Sequence, residues 1–283
     1  VSITPTPYTW RRTYRGPVTA VILDWSGTTI DPYVLAPAVV FAEVFAHHGV
    51  PITISEARGP MGLRKDLHIR ALLETPSIRE RWIERHGTAP DDATVAALFA
   101  DFVPRQLANL RRYATLLPGV VELQDRLHAR GIAIGVTTGF TREMVDVILE
   151  EVTAHGFHPD ATVAGDEVVH GARPRPFMVY RNLDLLDAFP VESVIKVDDT
   201  VGGVGEGLAA GCWTVGIARY SNYMDVDSLA AADALAPEEV ARRLAATRER
   251  LAHAGAHYVV DEPLDLLTVV DHVEARLRRG ERP

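Results

Sequence analysis

The sequence predicts an α/β protein: a parallel sheet flanked by helices, with a long α-helical insertion after the first strand. Three observations lead there. Short apolar runs alternate with segments of helical period along most of the chain, as in parallel sheets. The stretch between the first two runs is far too long for a simple crossover and reads as helical throughout. Acidic, hydroxyl and basic residues stand at the ends of separate runs, where open α/β sheets bind their ligands.

Residues 1–17 are polar, aromatic and proline-bearing, and read as an N-terminal extension. They contain no apolar h-region, so no signal peptide is expected. A core is expected from residues 18–31 and 112–283, with an inserted helical cap at 32–111. Strands are predicted at residues 20–23, 133–137, 161–164, 194–197 and 214–217, and a sixth at 257–260. Within the cap, Val34, Leu35, Val39, Phe41, Val44 and Phe45 line the buried face of a first helix, ended by Gly49 as its C′ glycine. Thr53-Ile54-Ser55-Glu56 is a capping-box pattern opening a second helix, and Gly59-Pro60 interrupts it. A third helix is expected from Met61 or Gly62 past Leu72, with others at 77–86 and 93–112. Pro118-Gly119 turns the chain back to the sheet. The alanine-rich stretch 229–246 reads as helical pieces divided by Pro237.

With 283 residues, 47% hydrophobic and 24% charged, the chain has the make-up of a globular enzyme. A formal charge of −9 argues against nucleic-acid or anionic-membrane partners, because no broad positive surface exists to release counterions. No apolar run approaches the ~20 residues of a membrane helix. The single cysteine, Cys212, excludes an intrachain disulfide and a cysteine-cluster metal site, and suits a cytoplasmic setting.

Four strand ends carry candidate chemistry. Asp24, in Asp24-Trp25-Ser26-Gly27-Thr28-Thr29, is positioned as a carboxylate nucleophile able to form an aspartyl-phosphate. Taken alone, that stretch is equally an Asx-type turn. Thr138-Gly139 offers a hydroxyl and a glycine amide to a phosphoryl oxygen, and is also an ordinary turn. In Arg173-Pro174-Arg175-Pro176 either arginine can present a guanidinium to phosphate. Asp198-Asp199 offers carboxylates of the kind Mg²⁺ takes together with phosphate and water. Convergence of all four on one sheet edge is far less probable by chance than any one of them.

These pieces, in this order, resemble the haloacid dehalogenase (HAD) superfamily, whose members set a Rossmann-like core beneath an inserted cap. Its phosphotransferring members commonly carry a second aspartate two residues after the nucleophile, as general acid and base; here that position is Ser26. The cap segment Met61-Gly62-Leu63-Arg64-Lys65-Asp66-Leu67-His68 offers a different solution. On a helix Met61 and Lys65 are one turn apart, and Lys65 shares a face with His68. A desolvated lysine near another cation has a lowered pKa and can form a Schiff base with a carbonyl. The commoner fate of such a lysine is a solvated helix face, and of such a histidine a partly buried one.

Together with Thr137-Thr138-Gly139-Phe140, Arg173-Pro174-Arg175-Pro176-Phe177-Met178 and Lys196-Val197-Asp198-Asp199-Thr200, these segments resemble the phosphonoacetaldehyde hydrolase (phosphonatase) family. The resemblance covers nearly the whole chain after residue 17. It implies Mg²⁺-dependent cleavage of a carbon–phosphorus bond in a small phosphonate, and a homodimer. Asp24 is then the nucleophile, Lys65 the Schiff-base lysine and His68 a proton carrier. Thr138, Gly139, Arg173 and Met61 contact substrate. Asp24, the Ser26 carbonyl, Asp199 and Asp198 are the metal-site residues.

The chain departs from that family at four places. Ser26 replaces a usual alanine, and Phe140 a usual tyrosine. The family's later metal-loop acid is missing at Gly203, while Asp198 stands where glycine is usual. The following helix holds Gly202, Gly203, Gly205 and Gly207, each weakening a helix by roughly 1 kcal/mol against alanine. Three other readings stay open: a phosphate-ester phosphatase, a metal-free 2-haloacid dehalogenase, and a non-catalytic phosphate-binding protein on the same fold.

Overall fold

The computed structural model describes residues 13–171 and 173–283; residues 1–12 of the expected extension lie outside the described residues. Strand β1 (Ala20–Asp24) is followed by five helices: α1 (Leu35–His47), α2 (Ile54–Arg58), α3 (Lys65–Glu74), α4 (Pro76–His86) and α5 (Asp92–Tyr113). Helix α6 (Val120–His128) leads to β2 (Ala133–Thr137), then α7 (Arg142–Ala154) and β3 (Ala161–Val163). Next come α8 (Phe177–Leu185), β4 (Val194–Asp198), α9 (Val201–Ala210) and β5 (Trp213–Ile217). Helices α10 (Leu229–Asp233) and α11 (Pro237–His253) precede β6 (Tyr258–Val260) and α12 (Leu266–Arg278).

The six strands form one parallel sheet in the order β3-β2-β1-β4-β5-β6. This order reverses direction beside β1, and the crevice outside the strand ends at such a switch point is where open sheets bind ligands. Strands β1, β4 and β5 are buried along their whole length, which accounts for their continuous apolar runs. The main core joins sheet and insertion: Trp25 meets Phe157 edge to face at 5.9 Å, and Phe41 of α1 stacks on Phe102 of α5 at 4.5 Å. No helix among the described residues is long and apolar enough to cross a membrane.

Three expectations need correction. Helix α3 begins at Lys65, because Gly62 has φ +95° and keeps residues 60–64 out of helical geometry. Met61 and Lys65 are therefore not successive turns of one helix. Val34 lies before α1 at φ +55°, in a tight turn capped by Asp31, whose carboxylate accepts from Leu35 N and Ala36 N. On α1 Val40 is buried with Val44, whereas Val39 is only half-buried. The capping box at Thr53 and Glu56 is present in both directions.

Candidate active site

Parallel pairing sets Asp24 opposite Thr137, and β4 on the other side of β1 ends at Asp198. Three strand tips thus meet at one place. Asp24 Oδ1 accepts from Arg173 Nη2 at 2.6 Å. That same nitrogen reaches Thr137 Oγ1 at 2.9 Å and Asp198 Oδ2 at 3.1 Å, while Arg173 Nε donates to Glu206 Oε2 at 3.1 Å. Arg175, the alternative guanidinium, is exposed and donates to the His170 carbonyl instead. Burial pushes the Asp24 carboxyl up to about 6, against the opposing pull of Arg173.

The two adjacent acids have different fates. Asp198 Oδ2 accepts from Lys196 Nζ at 2.9 Å, and Oδ1 accepts from Thr200 N at 3.0 Å and Thr200 Oγ1 at 2.7 Å. Burial would raise this carboxyl, yet Arg173 and Lys196 hold it below the usual range. Asp199 Oδ2 accepts from Asn222 N at 2.8 Å, but its Oδ1 is buried without a partner. Burial, with Asp198 and Asp24 nearby, pushes Asp199 well above the ordinary range.

A buried orphan oxygen beside like charges is what a bound cation would satisfy. Ligand atoms of Asp24, Asp198 and Asp199 all lie within 4.8 Å of one another. The donor set is all oxygen and fits Mg²⁺. Asp199 is the acid with a free oxygen; Asp198 is saturated by protein groups.

A cavity of about 20 Å³ sits over these groups, lined by Asp24, Ser26, Met61, Lys65, Thr138, Gly139, Arg173 and Asp199 among others. Most of the predicted site residues therefore come together. His68 is not among the lining residues. Its Nε2 meets the Ala57 carbonyl at 2.8 Å, its ring stacks on Phe41 at 3.9 Å, and its Nδ1 has no partner. Burial and the nearby Lys65 hold its pKa well below the ordinary value, so the ring is neutral.

Lys65 is 5% exposed, and its Nζ stands 4.6 Å from the Phe140 ring centroid and 5.9 Å from that of Phe41. Burial, helped by Arg173, lowers its pKa to about 8 despite the attraction of Asp24.

Lys196, Glu206 and Thr137, which surround Arg173, were not assigned from sequence. One signal was legible: a lysine between apolar residues inside a buried strand must bring its own counter-charge.

Two glycines of α9, Gly203 and Gly207, also find their reason here. A Cβ at Gly203 would lie 1.8 Å from Asp198 Cγ, and one at Gly207 would lie 2.6 Å from Thr214 Oγ1 and 2.9 Å from Lys196 Cβ. The helix thus approaches β4 closely enough for the carboxylate of Asp198 to fill the space a side chain at 203 would occupy. Gly203→Ala is expected to cost about 1–3 kcal/mol of stability through overpacking. It should also cut activity more than tenfold by displacing the Asp198–Arg173 contact. A wild-type denaturation midpoint together with wild-type turnover would refute this.

Comparison with known proteins agrees with the geometry. Residues 18–211 match the family model described as haloacid dehalogenase-like hydrolase. The chain is 46% identical over 268 residues to a phosphonoacetaldehyde hydrolase of Paraburkholderia xenovorans, covering 94% of this chain and 99% of that protein. The chain belongs to the phosphonoacetaldehyde hydrolase family. It is accordingly an enzyme of the hydrolase class. A second member, from Nitratidesulfovibrio vulgaris, is 42% identical and covers 98% of both chains. The crystal structure of a phosphonoacetaldehyde hydrolase-like protein from Oleispira antarctica superposes with a TM-score of 0.94 at 39% identity. That match covers 98% of this chain and 100% of the other.

Proposed function

We propose that this member of the family hydrolyses phosphonoacetaldehyde to acetaldehyde and phosphate, with the helical insertion 32–111 acting as a cap. The observation that carries the proposal is the pairing of a carboxylate at the β1 tip with a buried lysine across one small cavity, and no second aspartate at Ser26. A phosphate ester needs a proton donor for its leaving alkoxide. A phosphonate aldehyde needs an electron sink for its leaving carbon, and a lysine imine is one.

In this reading neutral Lys65 condenses with the aldehyde, taking up a proton and losing water, to give an iminium. Asp24 attacks phosphorus in line. The C–P electron pair flows into the iminium to give an enamine, and Asp24 becomes an aspartyl-phosphate. Water then hydrolyses the acyl-phosphate, and the enamine is protonated and hydrolysed to acetaldehyde. Arg173, Thr138 and the Gly139 amide orient the phosphoryl oxygens, and positioning with electrostatics supplies most of the acceleration. Met61 covers the aldehyde end. Asp24, Asp199 and the Ser26 carbonyl would hold Mg²⁺, which supplies charge neutralisation to the phosphoryl group; Asp198 backs the site by fixing Arg173. His68 is assigned proton transfers around the imine: as a neutral ring whose Nδ1 has no protein partner, it would accept a proton as the amine adds to the aldehyde. Because its ring is not among the groups lining the cavity, the proton would pass through water. The resemblance extends the proposal to a homodimer, which light scattering can check.

The pH profile follows from Lys65. Condensation requires the neutral amine, whose fraction grows as pH rises through about 8. At pH 7 that fraction is about 300-fold larger than for a lysine titrating at its ordinary value. The rate of cyanoborohydride trapping on Lys65 should therefore rise with pH and level off above about 8. A plateau beyond 10 would show an unperturbed lysine.

The deciding experiment is a phosphate-release screen of phosphonoacetaldehyde against phosphate monoesters, with Mg²⁺ and after chelation. Release from the phosphonate alone, lost on chelation, is expected. Preferential release from monoesters would replace this reading with a phosphatase.

A further inference from the structure

Arg58 ends α2 and is only 4% exposed. Its Nη1 donates to Asn222 Oδ1 at 3.1 Å and to the Tyr33 carbonyl, and its Nη2 donates to the Val226 carbonyl. Asn222 returns the contact, its Nδ2 donating to the Arg58 carbonyl at 3.2 Å. The same Asn222 gives its main-chain N–H to Asp199 Oδ2 at 2.8 Å. Its neighbour Ser221 donates from Oγ to the Asp199 carbonyl at 2.8 Å. One residue therefore holds the site carboxylate with its backbone and the end of α2 with its side chain.

Directly after Arg58 comes the loop 59–64, which contributes Met61, Gly62 and Leu63 to the cavity and delivers Lys65. This loop rests on the strand ends with no clearance. A Cβ at Gly62 would lie 2.7 Å from Thr200 Oγ1, and one at Gly139 would lie 2.6 Å from the Leu63 carbonyl oxygen. A cavity of about 20 Å³, room for roughly one water, lies between this loop and the strand ends, so the seating of the loop sets how much space a substrate finds there. Its fixed point on the core side is the Arg58–Asn222 pair.

We propose that Arg58 and Asn222 are a positioning pair that couples the seating of loop 59–64, and with it Lys65, to the carboxylate of Asp199. Neither residue touches the reacting atoms. The pair makes loop closure and cation binding mutually favourable, since the rotamer of Asn222 that grips Arg58 belongs to the same backbone that aims Asp199. The proposal rests on the reading that Lys65 forms the imine.

The test compares Asn222→Ala, Asn222→Asp and Arg58→Lys with the unaltered protein. Three quantities are measured: the rate of cyanoborohydride trapping of phosphonoacetaldehyde on Lys65, the affinity for Mn²⁺ by electron paramagnetic resonance, and thermal stability. Asn222→Ala should slow trapping about tenfold and weaken Mn²⁺ binding about three- to tenfold. Asn222→Asp, which keeps the acceptor for Arg58, should recover part of both. Arg58→Lys, altered on the cap side only, should also weaken Mn²⁺ binding. Reduced thermal stability with unchanged trapping and unchanged Mn²⁺ affinity would overturn the coupling and leave a merely structural pair. If the unaltered protein forms no adduct, the imine reading falls. The coupling then stands or falls on whether Arg58→Lys weakens Mn²⁺ binding.

Discussion

Replacing Lys65 by alanine is expected to lower phosphonoacetaldehyde hydrolysis by on the order of 10⁴-fold or more, the scale seen when a covalent catalyst is removed. Without the amine there is no iminium, and the departing carbon would have to leave as a carbanion. Lys65→Arg should be nearly as damaging. It keeps a cation against the rings of Phe140 and Phe41, but arginine cannot deprotonate to attack a carbonyl. Borohydride reduction in the presence of substrate should add substrate carbon to the peptide containing Lys65 in the unaltered enzyme, and to no peptide in either variant. Phosphate release within tenfold of the unaltered rate in Lys65→Ala would mean that the lysine only packs or steers.

Asp24→Asn should abolish phosphate release to a similar extent, on the order of 10⁴-fold, while leaving the lysine adduct intact. Asparagine is nearly isosteric and its Oδ1 can still accept from Arg173, so the cavity should persist. What is lost is the anionic nucleophile and one of the three clustered carboxylates. The variant should therefore load substrate on Lys65, trap with borohydride, and stop. That separation of imine formation from phosphoryl transfer is the sharpest consequence of a two-centre mechanism. Loss of both reactions together would instead mean that Asp24 is needed to seat the substrate. Full phosphate release would remove it as nucleophile.

Much of this architecture was legible before any coordinates. The strand at 133–137 coincides with β2, and Pro237 divides α10 from α11, because buried strands and proline breaks are written in a few consecutive residues. Asp24, Thr138 and Asp199 could be nominated because residues at the tips of neighbouring parallel strands must converge, and Arg173 because a guanidinium in the loop after β3 can reach that edge. Helix α3 starts later than its pattern implies, because apolar and charged spacing continues through Met61 and Leu63 while the backbone is broken by a positive φ at Gly62. Periodicity reports which side chains share a face, not whether the chain can turn there.

Asp198 and Asp199 mark the limit most clearly. Side by side in sequence, they read as an equivalent pair. Alternation along the strand end sends one inward to Lys196, Arg173 and Thr200, and leaves the other, which lines the cavity, with a buried unpartnered oxygen. The glycines of α9 read as a weak helix until their distance from β4 showed what they admit.

By itself, then, the sequence determined the α/β plan, the inserted helices and the chemical types gathered at the strand ends, because each rests on local periodicity and the geometry of parallel strands. Only the tertiary structure decided which acid is free, which arginine enters the site, why α9 carries glycine at 203 and 207, and that Arg58 is gripped by Asn222. Those outcomes depend on contacts between segments far apart in the chain, and no local pattern records the distance at which two such segments meet.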